Sequence, residues 1–233
     1  MPYVDKVQTL PSTLTNTEFG MDAALKGLRE RGYYPPVVLD VGAAVGTWTE
    51  NALRYWPRSH FYCIEALEER RSDLQALSRR SGADVKVLIC GVAEADGVLK
   101  MGVTESLWDS SFAYEGREMR ELPVFSLDTL LAQNRIEPPS FLKLDVQGFE
   151  TKIISGGQVA LRNCDVILME CSFYSFCPSM RTLDETMALM ASYGFVPYEI
   201  VDVLRRPLDG AMGQCDLLFV RRDHWLVSDR RWG

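Results

Sequence analysis

Apolar residues along this chain alternate between two spacings. Short β-branched or aromatic runs recur at 37–41, 61–65, 85–90, 141–146 and 166–170. Between them, apolar positions fall three or four residues apart or at their multiples, as at Leu74 and Leu77 with Leu67 a turn or two earlier, which is the spacing of one helix face. The pattern predicts a strand at 37–41, then a helix through Trp48, Ala52 and Tyr55 that Pro57 closes. A second strand at 61–65 and the leucine-bearing helix follow. The third strand, 85–90, ends at Gly91, and short strands at 98–103 and 122–125 flank a polar loop over 106–120. Ser126 is placed to cap a short helix through Leu130 and Leu131. Strand 141–146, a helix from Glu150 to about Ser155, strand 166–170 and a helix over 182–193 come next, and two strand-like runs, 198–203 and 216–221, close the pattern. One further helix is predicted over 16–31, stopped by Gly32 and parted from the first strand by Tyr34-Pro35-Pro36.

Alternating β and α segments ending in a β–β pair predict an α/β fold, with a mostly parallel sheet and one antiparallel edge strand. No repeat or low-complexity linker divides the chain. It therefore reads as an N-terminal extension and helix (1–36), one domain (37–223) and a short tail (224–233). No apolar run of about 18 residues predicts a membrane span, and Met1–Leu14 lacks the pattern of a secretory signal. Six cysteines without C-x-x-C spacing suit reduced thiols in a cytoplasmic protein. A formal net charge of −7 argues against nucleic acid as substrate. Oligomeric state is not legible.

The chemistry begins at Val37-Val38-Leu39-Asp40-Val41-Gly42-Ala43-Ala44-Val45-Gly46-Thr47-Trp48, a strand, a small-residue loop and a helix start. Open α/β sheets hold nucleotide-like cofactors at such a turn. A dinucleotide site wants G-x-G-x-x-G, and this chain has Ala44 and Thr47 where the second and third glycines would stand. The loop Asp40-x-Gly42-x-x-x-Gly46 suits a compact nucleoside with a zwitterionic tail, such as S-adenosylmethionine. Glu65 ends the second strand about 20 residues beyond the loop, where an acid grips a ribose diol.

A second constellation is Phe141-Leu142-Lys143-Leu144-Asp145-Val146-Gln147-Gly148-Phe149-Glu150. Lys143 and Asp145 stand two apart and share a strand face. An acid embedded in an apolar strand is costly unless used, so Asp145 is the first candidate for the general base, with Lys143 and Glu170 behind it. Glu150 reads as a carboxylate at a helix N-terminus. His60 starts a strand at the end remote from the ligand edge and His224 lies in the tail, so neither suits a base. No cluster of ligands indicates a metal; Asp145 alone leaves a divalent cation open.

Here a resemblance becomes specific. Residues 38–46, then Ser126-Leu127-Asp128-Thr129-Leu130-Leu131, then 143–150, then Leu168-Met169-Glu170 resemble, in order, the signature blocks of the FkbM family of methyltransferases. The resemblance implies the class I methyltransferase (Rossmann-like) fold, a three-layer sandwich on a seven-stranded sheet. It also implies S-adenosylmethionine as donor and O-methylation of a hydroxyl on a sugar, glycan or natural product. Asp40, Gly42, Ala43, Ala44, Gly46, Thr47 and Trp48 would then form the donor loop. Glu65 and Ala66 would hold the ribose, Gly91, Val92 and Ala93 the adenine, and Asp145 would line the reaction centre. Ser111, beside Ser106 and Ser110 in the long loop, would meet the methionine end or the acceptor; Trp108 and Phe112 of that loop would cover the ligand or anchor the loop. The family often has Glu where Gln147 stands. Two other readings remain: an NAD-dependent oxidoreductase, which the broken glycine triplet disfavours, and a catalytically silent nucleoside-binding domain.

Overall fold

A computed structural model describes residues 20–177 and 179–231. Residues 16–19 of the predicted first helix, Pro178 and the end of the tail lie outside the described residues.

Seven strands form one sheet: β1 (Val37–Val41), β2 (His60–Glu65), β3 (Val85–Ile89), β7 (Phe141–Leu144), β8 (Val166–Ser172), β9 (Phe195–Arg205) and β10 (Met212–Arg221). Their order is β3-β2-β1-β7-β8-β10-β9. All contacts from β3 to β8 are parallel. The late β–β pair supplies the antiparallel contacts, with β10 lying between β8 and the edge strand β9. Such a sheet is covered on both faces, and alternate residues of each strand feed opposite cores. Val38, Phe61, Phe141, Val166, Leu168 and Leu218 pack under α1 (Met21–Glu30), α2 (Thr47–Leu53) and α3 (Arg71–Ser81). Leu39, Val41, Leu142, Leu144, Ile167 and Phe219 pack under α4 (Leu127–Asn134), α5 (Glu150–Ser155), α6 (Gln158–Arg162) and α7 (Leu183–Ser192). This is the expected three-layer α/β sandwich.

Local signals act as predicted at several ends. The Ser126 hydroxyl accepts from the Thr129 N–H at 3.1 Å and caps α4, and Thr182 with Glu185 forms a capping box on α7. The first helix, read as part of the extension, buries Ala24, Leu25 and Leu28 in the core shared with β1, and Leu226 and Val227 of the tail pack on the same core.

One layer differs from expectation. Strands β4 (Gly91–Ala93), β5 (Gly97–Val103) and β6 (Glu118–Ser126) make a separate three-stranded sheet in the order β4-β6-β5. Strand β6 begins inside the stretch predicted to be a polar loop. Its early residues face solvent, so charged side chains alternate along it without an apolar signal. Among the described residues, no helix is long and apolar enough to cross a membrane.

Candidate active site

The glycine loop rests on a buried ion pair. Asp40 and Lys143 stand opposite one another in the β1–β7 register. Lys143 Nζ lies 3.0 Å from Asp40 Oδ1 and 3.4 Å from Asp145 Oδ2, and donates to the Gly42 carbonyl at 2.9 Å. Asp40 Oδ2 accepts from the Thr49 hydroxyl at 2.7 Å, tying α2 to the same point. Burial alone would pull the Lys143 pKa down; the carboxylates of Asp40 and Asp145 outweigh it and hold it above the usual lysine range. Lys143 is thus a fixed cation, which corrects its candidacy as a base. Asp40 supports the loop from below and does not line the cleft.

Above this pair the backbone turns out of β1. Gly42 has φ +76°, and a Cβ there would come 1.9 Å from the Asp145 carbonyl oxygen. Only glycine lets the first and second constellations approach so closely. Ala44, also at positive φ (48°), donates its N–H to Glu65 Oε2 at 2.9 Å, and Leu67 N–H donates to Glu65 Oε1 at 2.9 Å. Burial raises the Glu65 pKa, and the two backbone donors pull it part of the way back. Gly46 has a different task. Its absent side chain makes room for Leu77, whose Cδ2 would lie 2.4 Å from a Cβ, so it seats α2 on α3 and does not line the cleft.

The opposite wall comes from the loop after β7, and here a reason given by the sequence is corrected. The strand ends at Leu144, so Asp145 is not embedded in it; its side chain is 44% exposed at the cleft mouth. Gln147 (φ +57°) and Gly148 (φ +91°) bend the chain back. Glu150 holds the bend: its Oε1 accepts from the N–H groups of Val146 at 3.0 Å and Gly148 at 3.1 Å. This agrees with the helix N-terminal reading, and burial pushes its carboxyl up to about 7. The Gln147 amide donates to Asp145 Oδ1 at 3.1 Å.

The cleft between these walls encloses about 740 Å³ of space, solvent at its mouth included. It brings together Gly42, Ala44, Glu65, Ala66, Gly91, Val92, Ser111 and Asp145 of the expected residues. Met101 of the second sheet and Phe112 of the long loop close its far side, and Gly91 lies so near Phe112 that a Cβ would meet Cζ at 2.7 Å. Ser111 donates to the carbonyls of Val146 and Gln147 at 3.2 and 2.8 Å, fastening the long loop to the Asp145 loop. Arg70, which the charge pattern alone places on a solvated face, also lines the cleft: its guanidinium stacks 4.8 Å from the centre of the exposed Trp108 ring and donates to the Ser106 carbonyl.

Other expected residues stand elsewhere. Ala93 is buried and does not line the cleft; its carbonyl packs on Gly156. Ala43, Thr47 and Trp48 line a second groove on the α2 side of the loop. Trp48 stacks on Phe141 with ring centroids 5.6 Å apart and donates to the Met21 sulfur. Glu170 faces Asp216 across β8 and β10 and accepts from the Gln214 amide at 2.5 Å. Burial, with Glu150, Asp145 and Asp216 nearby, pushes its carboxyl up to about 9. A carboxyl that keeps its proton at neutral pH, outside the cleft, is not a poised base, and this too is a correction. His60 pairs with Asp84 at the start of β2, and His224 packs edge-on against Tyr33; neither lines the cleft.

With this geometry, comparisons with known proteins agree in family and fold. A family model described as the methyltransferase FkbM domain matches residues 40–197. No curated protein sequence matches the chain. Among solved structures, the N-methyltransferase NodS from Bradyrhizobium japonicum WM9 aligns with TM-score 0.52 and 10% identity, covering 86% of this chain and 93% of that one. The magnesium protoporphyrin IX methyltransferase ChlM from Synechocystis PCC 6803 aligns with TM-score 0.52 and 11% identity over 86% and 81% of the two chains. The 1,6-didemethyltoxoflavin-N1-methyltransferase of Burkholderia thailandensis aligns with TM-score 0.50 and 15% identity over 91% and 82%. At such identities the likeness is one of fold.

Proposed function

Because this chain belongs to the FkbM methyltransferase family, we propose that it moves a methyl group from S-adenosylmethionine to a hydroxyl oxygen on a sugar, glycan or small natural product. One observation carries the donor reading. The Glu65 carboxylate is fixed by two backbone N–H groups in the floor of a cleft whose opposite wall is Asp145. The residues fit the donor: an acid with lone pairs to spare for a diol, a glycine turn that no Cβ would permit, and an apolar far wall of Val92, Met101 and Phe112 for a purine. The ChlM and Burkholderia structures contain S-adenosylhomocysteine, which supports the same ligand class.

When bound, S-adenosylmethionine supplies a methyl on a sulfonium sulfur that departs with the bonding electron pair. The protein's part is alignment, worth up to ~7–11 kcal/mol, and a proton acceptor, worth about 10²–10⁴-fold. Asp145 takes the second part. It is the carboxylate at the cleft mouth, with Lys143 at 3.4 Å and the Gln147 amide at 3.1 Å fixing its direction. The hydroxyl proton of the acceptor passes to Asp145. The long loop, stapled by Ser111 and weighted by Arg70 on Trp108, limits water at the mouth.

Thermal shift tests the donor half. S-adenosylmethionine or S-adenosylhomocysteine at about 100 times Kd should add ~2.7 kcal/mol, and NAD should add nothing. A shift with NAD alone ends the methyltransferase reading. Binding of the adenosyl ligands with full turnover in Asp145→Asn removes Asp145 as the base. Adenosyl binding with no hydroxyl acceptor labelled favours a silent binding domain.

A further inference from the structure

We propose that the groove on the α2 side of the Gly42–Ala44 loop is the acceptor site and that it takes an uncharged, ring-bearing polyol; this rests on the donor reading of the first cleft. The groove encloses about 1180 Å³ of space, open solvent included. It shares four lining residues with the donor cleft: Gly42, Ala44, Trp108 and Asp145. A molecule lying in the groove therefore meets one lying in the cleft beside Asp145, where the proton must be received. The polar cavities around Glu170, at the β8 and β10 end of the sheet, share no lining residue with the donor cleft and do not open onto it.

The chemistry of the groove points to the ligand class. Two indoles line it: Trp48, set by its stack on Phe141, and the exposed Trp108 of the long loop. Aromatic faces of this kind suit the flat side of a ring. Each cation of the wall is already taken by a carboxylate, and Lys143 serves two. Asp22 pairs with Arg54 at 3.2 Å, Glu50 with Arg80 at 3.0 Å, and Lys143 with Asp40 and Asp145. A phosphorylated acceptor would find no free cation and would lose hydration on entry, and an ammonium drawn to Asp145 would occupy the carboxylate that must take the proton. The Thr47 hydroxyl and the Asn51 amide nitrogen, whose oxygen accepts from Arg54 at 3.1 Å, are the neutral groups left to bond hydroxyls.

Saturation-transfer NMR on the protein saturated with S-adenosylhomocysteine tests this, using methyl glucoside and cyclohexanediol as neutral probes and glucose phosphate and glucosamine as charged ones. Thr47→Trp and Asn51→Trp, both on outward-facing turns of α2, plug the groove. The expected result is a signal from the neutral probes that both variants abolish, with S-adenosylhomocysteine and methylthioadenosine affinities within about twofold of the parent (~0.4 kcal/mol). Charged probes giving the stronger signal, or neutral signals that survive both plugs, overturn the assignment. So does about a tenfold loss of S-adenosylhomocysteine affinity with methylthioadenosine unaffected, because the groove then houses the amino-acid tail of the donor. If neither adenosyl compound binds the parent protein, the donor reading itself has failed, and that outcome is distinct from the others.

Discussion

Lys143 Nζ and Asp40 Oδ1 sit 3.0 Å apart, both side chains buried, joining β7 to β1 directly beneath the Gly42 carbonyl. Removing one partner strands a buried charge, which costs roughly 3–5 kcal/mol. Lys143→Met should therefore lower the melting temperature by about 6–20 °C for a chain of this size. The double variant Lys143→Met with Asp40→Asn should recover part of that loss in urea unfolding. Equal stability of the parent and the single variant would show that the pair supports nothing.

The two loop glycines separate binding from packing. A Cβ on Gly42 meets a backbone carbonyl at 1.9 Å, whereas one on Gly46 meets a flexible leucine tip at 2.4 Å. Gly42→Ala should weaken S-adenosylhomocysteine binding by more than about tenfold, over ~1.4 kcal/mol. Gly46→Ala should act mainly on stability and leave affinity within about threefold (~0.7 kcal/mol). Calorimetric titration of both variants distinguishes the roles, and the reverse ordering contradicts them.

Glu65 is held by Ala44 and Leu67 N–H groups. In Glu65→Gln the amide nitrogen must replace one oxygen, facing either a backbone donor or the ligand diol. Loss of a charge-assisted hydrogen bond is worth about 1.5–3 kcal/mol, so S-adenosylhomocysteine affinity should drop by roughly 10–100-fold. An unchanged affinity by titration would move the ribose away from this acid.

Stability should fall as the solution becomes alkaline. Glu170 titrates at about 9 in the fold and near ~4.3 when unfolded. Between those values the folded state binds more protons, so each rising pH unit removes up to ~1.4 kcal/mol, less for the group's partial exposure. Glu150, pushed up to about 7, acts in the same direction over a shorter range. Melting curves at about pH 6 and about pH 8.5 should show the lower melting temperature at the higher pH, and Glu170→Gln should flatten that slope. Parallel slopes in parent and variant would refute the assignment.

The strand–loop–helix around Gly42 and the acid at Glu65 were legible because their signals are local: β-branched runs, small turn residues and a fixed separation. The pairing of Asp40 with Lys143 was not, because it depends on β7 lying beside β1 at matched register, which neither residue's neighbours reveal. Asp145 was chosen for a reason that does not hold, since the strand stops at Leu144; its place opposite Gly42 comes from the bend that Gln147, Gly148 and Glu150 make together. Strands at 98–103 and 122–125 are legible, but their union with β4 in a second sheet is not, because β4 is only three residues long and β6 starts with exposed charged positions. Arg70 entered the site through contact with a loop distant in sequence, which no spacing rule encodes.

At position 147 the backbone is left-handed and the side chain is an amide whose nitrogen points at Asp145 from 3.1 Å. The family pattern that the sequence resembles implies a carboxylate at this point of the motif. Exchanging that one nitrogen for oxygen would set two anions side by side, and only a shared proton or a divalent ion would quiet their repulsion. A single atom type therefore decides whether this corner of the protein holds one carboxylate or two.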